Sequence, residues 1–378
     1  MTSTAAARAE IVVDLAAIRH NVSRLRELVG PDVAMMTVVK ADGYGHGMVE
    51  VARAARQAGS EWLGVATLDE AMALREAGDP GRVLCWLAVP GEEYAAAVAA
   101  GIDLTAYTVA ELDEIAESGG ERARVQLKVD TGLTRGGAAR ADWPAVFAHA
   151  AELEQAGRLD ITGIWSHFAA SDEPEHPAND AQEAAFREAV ALAEELGMRP
   201  ELRHLANSAA TILRPSARFN LVRCGIASYG LDPAPGRTPD LGLVPAMTVR
   251  ASLAMSKQIA IGDGVSYGHT WIADRDTTVG VVPAGYGEGV PRAAGNLASV
   301  WVDDRRRAIR GRVCMDQFVI DLDGDLPPPG TDVVLFGPGD RGEPTAQEWA
   351  EALDTINYEI VTRVGGRLAR RHVNREDS

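Results

Sequence analysis

Eight short apolar or β-branched runs recur along the first two-thirds of the chain, and stretches of helical periodicity separate them. The runs cover residues 33–39, 62–66, 82–88, 103–107, 124–130, 161–167, 201–207 and 219–225. Between most of them lie Ala-, Glu- and Arg-rich segments such as 48–58, 68–77, 108–117 and 181–196, with apolar residues at helical spacing. Strands alternating with helices build right-handed βαβ units and a parallel sheet. Eight such strands close a (β/α)8 barrel of the TIM type, so the expected class is α/β. An open doubly wound sheet is the alternative. A further amphipathic helix is expected at 15–29, ahead of the first strand, with Asp14 as its N-cap.

Beyond Leu241 the texture changes to short runs at 252–261, 277–283, 299–302, 308–312, 318–322 and 332–336, punctuated by Gly and Pro. These read as strands of a mostly β second domain. The Pro-containing segment 232–239 serves as the linker, and one helix is expected at 346–353. The organisation is therefore a barrel over residues 1–240 followed by a β-rich domain over 241–378.

Charge narrows the function classes. The 37 Lys and Arg face 54 Asp and Glu, a net charge of -17, and such a field repels polyanions, so no nucleic-acid partner is expected. Cys85, Cys224 and Cys314 are isolated in the sequence, which indicates neither a disulfide framework nor a zinc ribbon. The apolar run Ile11–Val13 is too short for a signal peptide, and no run of ~18 apolar residues could span a membrane. The expectation is a cytoplasmic protein with no membrane association and no metal; neither HExxH nor a ligand-spaced set among His167, His176 and His204 is present.

In a barrel the carboxyl ends of the strands carry the active site. Those ends supply Lys40, Thr67, Tyr107, Asp130 with Arg135, His167, Asn207 with Ser208, and Arg223. A lysine closing a buried strand is partly desolvated, which favours the neutral amine and Schiff-base chemistry; read alone, Lys40 could equally mark a strand end in solvent. Barrels often bind phosphate with the loops after strands seven and eight. Here those loops hold Ser208 and the Gly225–Ile226 pair, and Tyr44 could add a phenolic donor. A lysine and a phosphate cradle on one rim suggest pyridoxal phosphate, although Ser208 and Gly225 could serve only local turns.

The string VVKADGYGHG at 38–47 resembles the cofactor-lysine signature of the alanine racemase family. KVDTGLTRGG (128–137), WSHFA (165–169), HLANSAA (204–210) and RCGIASYG (223–230) are similar to that family too. So are GDGVSYGHTW (262–271), AGYGEG (284–289), GRVCMDQ (311–317) and TINYEIVTR (355–363), in family order over nearly the whole chain. The resemblance implies racemisation of L- and D-alanine, supplying D-alanine for peptidoglycan, by a homodimer that shares its active sites. Lys40 matches the lysine that holds pyridoxal phosphate covalently and acts as one base. Tyr267 matches the opposing base, which in the family reaches the partner subunit's site. Arg223 matches the arginine facing the pyridine nitrogen, with His167 behind it. Tyr44, Ser208, Gly225, Ile226 and Tyr358 match the phosphate-binding set, and Asn207 stands beside it. Arg135 matches a residue near the cofactor's phenolic oxygen and the substrate, Met315 a backbone contact to substrate, and Lys128 a lysine that some members carbamylate.

That set is chemically coherent, because racemisation removes a proton from one face of Cα and returns one to the other. An arginine, a permanent cation, disfavours protonation of the ring nitrogen it faces. Tyrosine titrates near ~10, so as a base Tyr267 needs nearby positive charge or hydrogen bonds. The chain departs from the usual pattern at Gly43, where Ala is common, at Cys224, where Pro is common, and at Ser228, where Leu is common. Gly43 is expected to loosen the loop holding Tyr44, and Cys224 to be a small buried filler. Two rivals are a basic amino-acid decarboxylase with the same cofactor, which needs no Tyr267, and a barrel that only binds the cofactor, which lacks the second domain.

Overall fold

The computed structural model describes residues 8–120 and 122–374. They form two compact units. One comprises Ile18–Gly43 and Met48–Leu243; the other comprises Tyr44–Gly47 and the described residues up to Ala17 and from Val244 onward.

Strand β1 (Ala9–Asp14) leads into the helix Leu15–Val29, whose first turn is capped as expected: Asp14 Oδ1 accepts from Ala16 N at 2.8 Å. In the first unit every expected strand forms; most are shorter than expected, the run at 201–207 keeps three residues, and the run at 161–167 keeps its length but begins two residues earlier. They are β2 (Ala34–Val38), β3 (Trp62–Val65), β4 (Arg82–Cys85), β5 (Asp103–Ala106), β6 (Ala123–Lys128), β7 (Leu159–Trp165), β8 (Leu202–His204) and β9 (Leu221–Cys224). They pair in parallel in chain order from β2 to β8, and β9 returns to pair with β2. Between β8 and β9, Asn220 N donates to Arg203 O at 3.4 Å and Arg223 N to Ala206 O at 3.0 Å. The sheet thus closes on itself, and the open doubly wound alternative is excluded.

Local sequence explains the tight strand-to-helix turns. Thr67 and Glu70 form a capping box on the helix Leu68–Glu76, directly after β3. Thr108 and Glu111 do the same for Val109–Glu117 after β5. Each pair satisfies orphan N–H groups of the first turn. Inside the barrel, Met36, Trp62, Leu84, Leu202 and Leu221 make one buried apolar cluster. Strand register stacks inward-facing residues in layers. Thr105 of β5 faces Gln126 of β6, which faces Gly163 of β7. Two residues on, Lys128 faces Trp165, which faces His204 of β8. Gly163 leaves room for its neighbour, since a Cβ there would meet Gln126 Oε1 at 2.9 Å.

The second unit is built on a nine-stranded sheet. Its strands after β1 include β10 (Met247–Ser252), β11 (Met255–Ile259), β14 (Thr277–Val282), β15 (Ser299–Val302), β16 (Arg305–Arg310), β17 (Phe318–Asp321), β18 (Asp332–Phe336) and β19 (Ala369–Val373). A separate hairpin pairs β12 (Gly264–Val265) with β13 (Trp271–Ile272). Strand β1 lies between β10, antiparallel, and β19, parallel. A single cut after residue 240 is therefore corrected: residues 8–14 join the second unit through their backbone partners in its sheet, and residues 15–17, the start of the following helix, go with them. Residues 44–47 join it through His372 Nε2, which lies 2.7 Å from His46 O, and through Gly45, where a Cβ would meet Val361 O at 2.5 Å. The helix expected at 346–353 forms as Ala346–Ala352, capped by Thr345 and Glu348.

Charge also ties the barrel together at the start of its strands. The carboxylate of Asp103 is fully buried. It accepts from Arg82 of β4 (2.6 and 3.0 Å), from Arg124 of β6 (3.1 Å) and from Thr162 of β7 (3.1 Å). One side chain therefore links four strands. Asp103→Ala is expected to lower unfolding stability by about 3 kcal/mol, as removal of one buried ionic partner does. Urea denaturation followed by circular dichroism checks this; a loss of a few tenths would contradict it.

Candidate active site

The chain leaves β2 through an unusual turn. After Lys40, Ala41, Asp42, Gly43 and Tyr44 all take positive φ, at 53°, 53°, 62° and 52°. This is a turn of left-handed backbone, which disfavours each L-residue by roughly 1–2 kcal/mol. Three hydrogen bonds hold it. Ala41 N donates to Glu70 Oε1 at 2.6 Å, Gly43 N to Val39 O at 2.8 Å, and Met48 N to Asp42 Oδ1 at 2.9 Å. Gly43 is the residue to which this φ costs least, so it relaxes the turn rather than loosening the loop. A Cβ at Gly43 would also meet the Met48 backbone at 3.3 Å.

Lys40 is half-buried at the rim. Burial lowers the pKa of its amine, Arg135 and Arg223 lower it further, and Glu70 pulls the other way. Its Nζ lies 5.8 Å from the centre of the Trp86 ring, and Trp86 meets Trp165 edge-on with centroids 6.1 Å apart. Trp165 gathers the rest of the site. Lys128 Nζ lies 4.6 Å and Arg223 Cζ 4.9 Å from its ring centre, and His204 stacks on it at 5.6 Å, nearly parallel. Burial pushes the Lys128 amine down to about 8, aided by Arg135, Arg223 and Lys40. Burial, then the same cations, hold His167 well below its usual range, so it is neutral.

Arg223, on β9, is buried and meets only acceptors. Its Nη1 donates to His204 Nδ1 at 3.0 Å. Its Nη2 donates to Ser166 O at 2.8 Å, His167 Nδ1 at 3.1 Å and Leu205 O at 3.2 Å. Burial lowers its pKa to about 9, which still leaves a cation at neutral pH. A guanidinium has no acceptor atom. Both histidines must therefore present an unprotonated Nδ1 and carry their hydrogen on Nε2.

The remaining barrel residues divide by role. Asp130 Oδ1 accepts from Gly132 N (2.8 Å) and Thr134 N (3.1 Å), shaping the loop that carries the exposed Arg135. Asn207 caps the short helix Ser208–Leu213, accepting from Ala210 N at 3.0 Å and from the Ser171 hydroxyl at 2.9 Å. The buried Ser208 Oγ accepts from Gly225 N at 2.9 Å and Ala227 N at 3.4 Å. Ser208 thus occupies the Gly225 N–H, which the sequence reading had offered to a phosphate. Buried Ile226 follows directly. Cys224 is fully buried, and its thiol is pushed up to about 12 by burial, the inert filler expected.

The second unit holds the other expected residues. Tyr44 is buried, which pushes its phenol well above the usual value and keeps it a neutral donor. Its ring centroid lies 6.2 Å from that of Tyr358. Tyr267 follows β12 and is 73% exposed; Met315 is exposed as well. Ser266, just before Tyr267, has φ 62° and ψ -172°, and its hydroxyl donates to Arg312 O at 2.7 Å.

The chain matches the model of the alanine racemase N-terminal domain over residues 13–233 and of the C-terminal domain over 246–372. The chain belongs to the alanine racemase family. It is 54% identical over 361 residues to the alanine racemase of Salinispora arenicola, covering 95% of this chain and 96% of that one. Against the alanine racemase of Streptomyces coelicolor it is 52% identical, covering 97% and 96%. The crystal structure of alanine racemase from Streptomyces lavendulae superposes with a TM-score of 0.96, at 47% identity and 98% coverage of both chains.

Trp165, His204, Gln126 and Glu70 stand in the candidate site although no sequence motif gave them a role there. Trp165 and His204 stood inside quoted motifs without a role. Gln126 carried a signal of its own, a polar residue two positions before Lys128 in the apolar strand VQLKV.

The lowered pKa of Lys40 predicts that its amine is acylated at a half-maximal rate below the pH of about 10.4 normal for lysine. Glu70→Gln, which removes the opposing anion, moves that midpoint lower still. Peptide mapping after pH-dependent labelling, with free N-α-acetyl-lysine added as the reference amine, reads both shifts; Lys40 titrating with the free amine would contradict them. Gly43→Ala is expected to lower stability by about 1 kcal/mol, and an unchanged thermal midpoint would refute that.

Proposed function

We propose that this enzyme of the alanine racemase family interconverts L- and D-alanine with pyridoxal phosphate bound at the barrel rim. Lys40 and Tyr267 are the two bases. The observation that supports the cofactor is the gathering of Lys40, Lys128, Arg135 and Arg223, whose charges help lower the pKa of both lysines and of His167. In a protein of net charge -17, such a cluster is adapted to an anion. The residues fit the group: an amine biased toward its neutral form, a buried guanidinium and hydroxyl donors.

Bound there, pyridoxal phosphate supplies an electron-withdrawing ring that acidifies the substrate Cα–H. Arg223, still a cation at neutral pH, would be the residue at the ring nitrogen and would leave it unprotonated. Lys40 Nζ removes or returns the Cα proton on one face. The phenolic oxygen of Tyr267, contributed by the partner subunit of a homodimer, does so on the other. Such positioned proton transfers contribute roughly 10²–10⁴-fold. In the barrel, the Ser208 hydroxyl and the Ile226 N–H would hold the phosphate, with Asn207 shaping the turn at Ser208 and Gly225 spending its own N–H on Ser208. Arg135 would lie near the cofactor's phenolic oxygen and the substrate. Lys128, whose amine is largely accessible as the free base near pH 8, adds to carbon dioxide with loss of one proton, and the resulting carbamate orients Arg135. D-alanine so formed supplies peptidoglycan. Among the described residues no helix is long and apolar enough to cross a membrane.

L-alanine incubated with the loaded enzyme in deuterium oxide is expected to yield D-alanine carrying deuterium at Cα. Release of carbon dioxide from a diamino acid, with alanine unchanged, would favour the decarboxylase instead. Lys40→Ala is expected to abolish the cofactor's visible absorption after dialysis. Tyr267→Phe should keep that absorption while lowering kcat by about 10²-fold or more. Mixing the two inactive variants restores activity if Tyr267 acts across a dimer, and restores none if each chain is self-sufficient.

A further inference from the structure

Arg223 has a second histidine partner that the two-base scheme does not use. His204 is fully buried, and its other nitrogen, Nε2, lies 2.7 Å from Gln126 Oε1. Arg223 can only donate, so His204 Nδ1 must accept and Nε2 must carry the hydrogen. Nε2 then needs an acceptor, and the Gln126 carbonyl is that acceptor. The same logic fixes the carboxamide: Oε1 faces the histidine, and Nε2 of Gln126 has no protein partner among the described residues. A buried glutamine that leaves its donor unmatched is kept for its carbonyl.

We propose that Gln126 is a positioning residue for the cofactor-facing arginine, fixing His204 as the neutral Nε2–H tautomer so that Nδ1 stays open to Arg223. This deepens the cofactor-site reading above and rests on it for its consequence in catalysis.

The choice of an amide over an acid follows from charge. A glutamate of the same shape would stabilise the His204 imidazolium. Its Nδ1 would then be a donor, pointing a hydrogen at the Arg223 guanidinium, and two cations would face each other in a buried site. Gln126 offers an acceptor of equal reach with no charge. The groups around His204 agree with neutrality. Arg223 from β9 is a cation against it, and the Trp165 ring from β7, with Lys128 Nζ on that ring, offers no anion. Burial, with Arg223, holds the ring well below its usual pKa. Gly163, the β7 residue facing Gln126, completes the arrangement by leaving space for the carboxamide.

The test is nitrogen NMR on the full chain labelled in its histidine rings, with and without pyridoxal phosphate, assigned by comparison with His204→Asn. In the native protein His204 is expected to show a protonated Nε2 and an unprotonated Nδ1, with no titration between about pH 5.5 and 8.5. In Gln126→Glu both nitrogens become protonated at neutral pH, the visible band of the loaded enzyme shifts, and kcat falls about tenfold or more while KM moves less. Gln126→Met removes the acceptor without adding charge, so His204 stays neutral and kcat falls less than in the glutamate variant. A packing role would rank the variants the other way, since glutamate matches glutamine in shape. A native Nδ1–H tautomer, a His204 that titrates in this range, or a neutral His204 in Gln126→Glu overturns the proposal. Should Gln126→Glu not fold, the native tautomer and the Gln126→Met spectrum decide. The cofactor-free spectra do not depend on turnover, so a chain that failed to racemise alanine but showed the locked tautomer would sink the function and leave this inference standing.

Discussion

Arg223 is 4% exposed, and its guanidinium remains a cation at neutral pH although burial lowers its pKa. Everything around it must therefore be an acceptor. Two main-chain carbonyls, from Ser166 and Leu205, and two imidazole nitrogens meet that need. Three strands end where these acceptors are required: β7 delivers Ser166 and His167, β8 delivers His204 and Leu205, and β9 delivers Arg223 itself. The parallel register that closes the barrel thus also solvates a buried cation. The tautomers of two histidines follow from it without further assumption.

The same barrel places cations where an acidic protein would otherwise have few. Lys40 and Lys128 share aromatic platforms, Trp86 and Trp165, that favour a cation electrostatically while excluding water. Against that attraction, burial and the neighbouring arginines pull both amines toward the free base. Lys40 is held by a left-handed turn that only a dense set of hydrogen bonds sustains, with Glu70 both capping a helix and gripping the Ala41 N–H. Backbone strain of this kind is typically found where geometry is fixed for function.

Much of this was legible in the sequence because barrel strands are short, apolar and separated by helices with strong start signals. Thr67–Glu70 and Thr108–Glu111 announce their helices directly. Strand β1 was not legible: Ile11–Val13 is brief, and its partners lie more than 200 residues away in β10 and β19, a long-range pairing that no local pattern encodes. The hairpin of β12 and β13 has two residues per strand, too few for any period to register. Lys40, Arg223 and His167 could be placed by motif, but His204 could not be distinguished from a structural histidine until its partner across the barrel, Gln126, was in view. Gly43 was misjudged because a glycine's effect depends on φ, and sequence alone did not reveal a left-handed turn there.

The proposed binding of an anionic cofactor depends on the cluster of cations at the rim. Thermal unfolding of the cofactor-free protein, with and without pyridoxal phosphate and at low and high ionic strength, tests it directly. A ligand bound only by the folded state raises the midpoint, and a ligand bound through charge does so less as salt is added. The expected result is a rise of several degrees with pyridoxal phosphate, reduced at high salt, and a smaller rise with inorganic phosphate alone. An unchanged midpoint with pyridoxal phosphate at low salt would contradict the account.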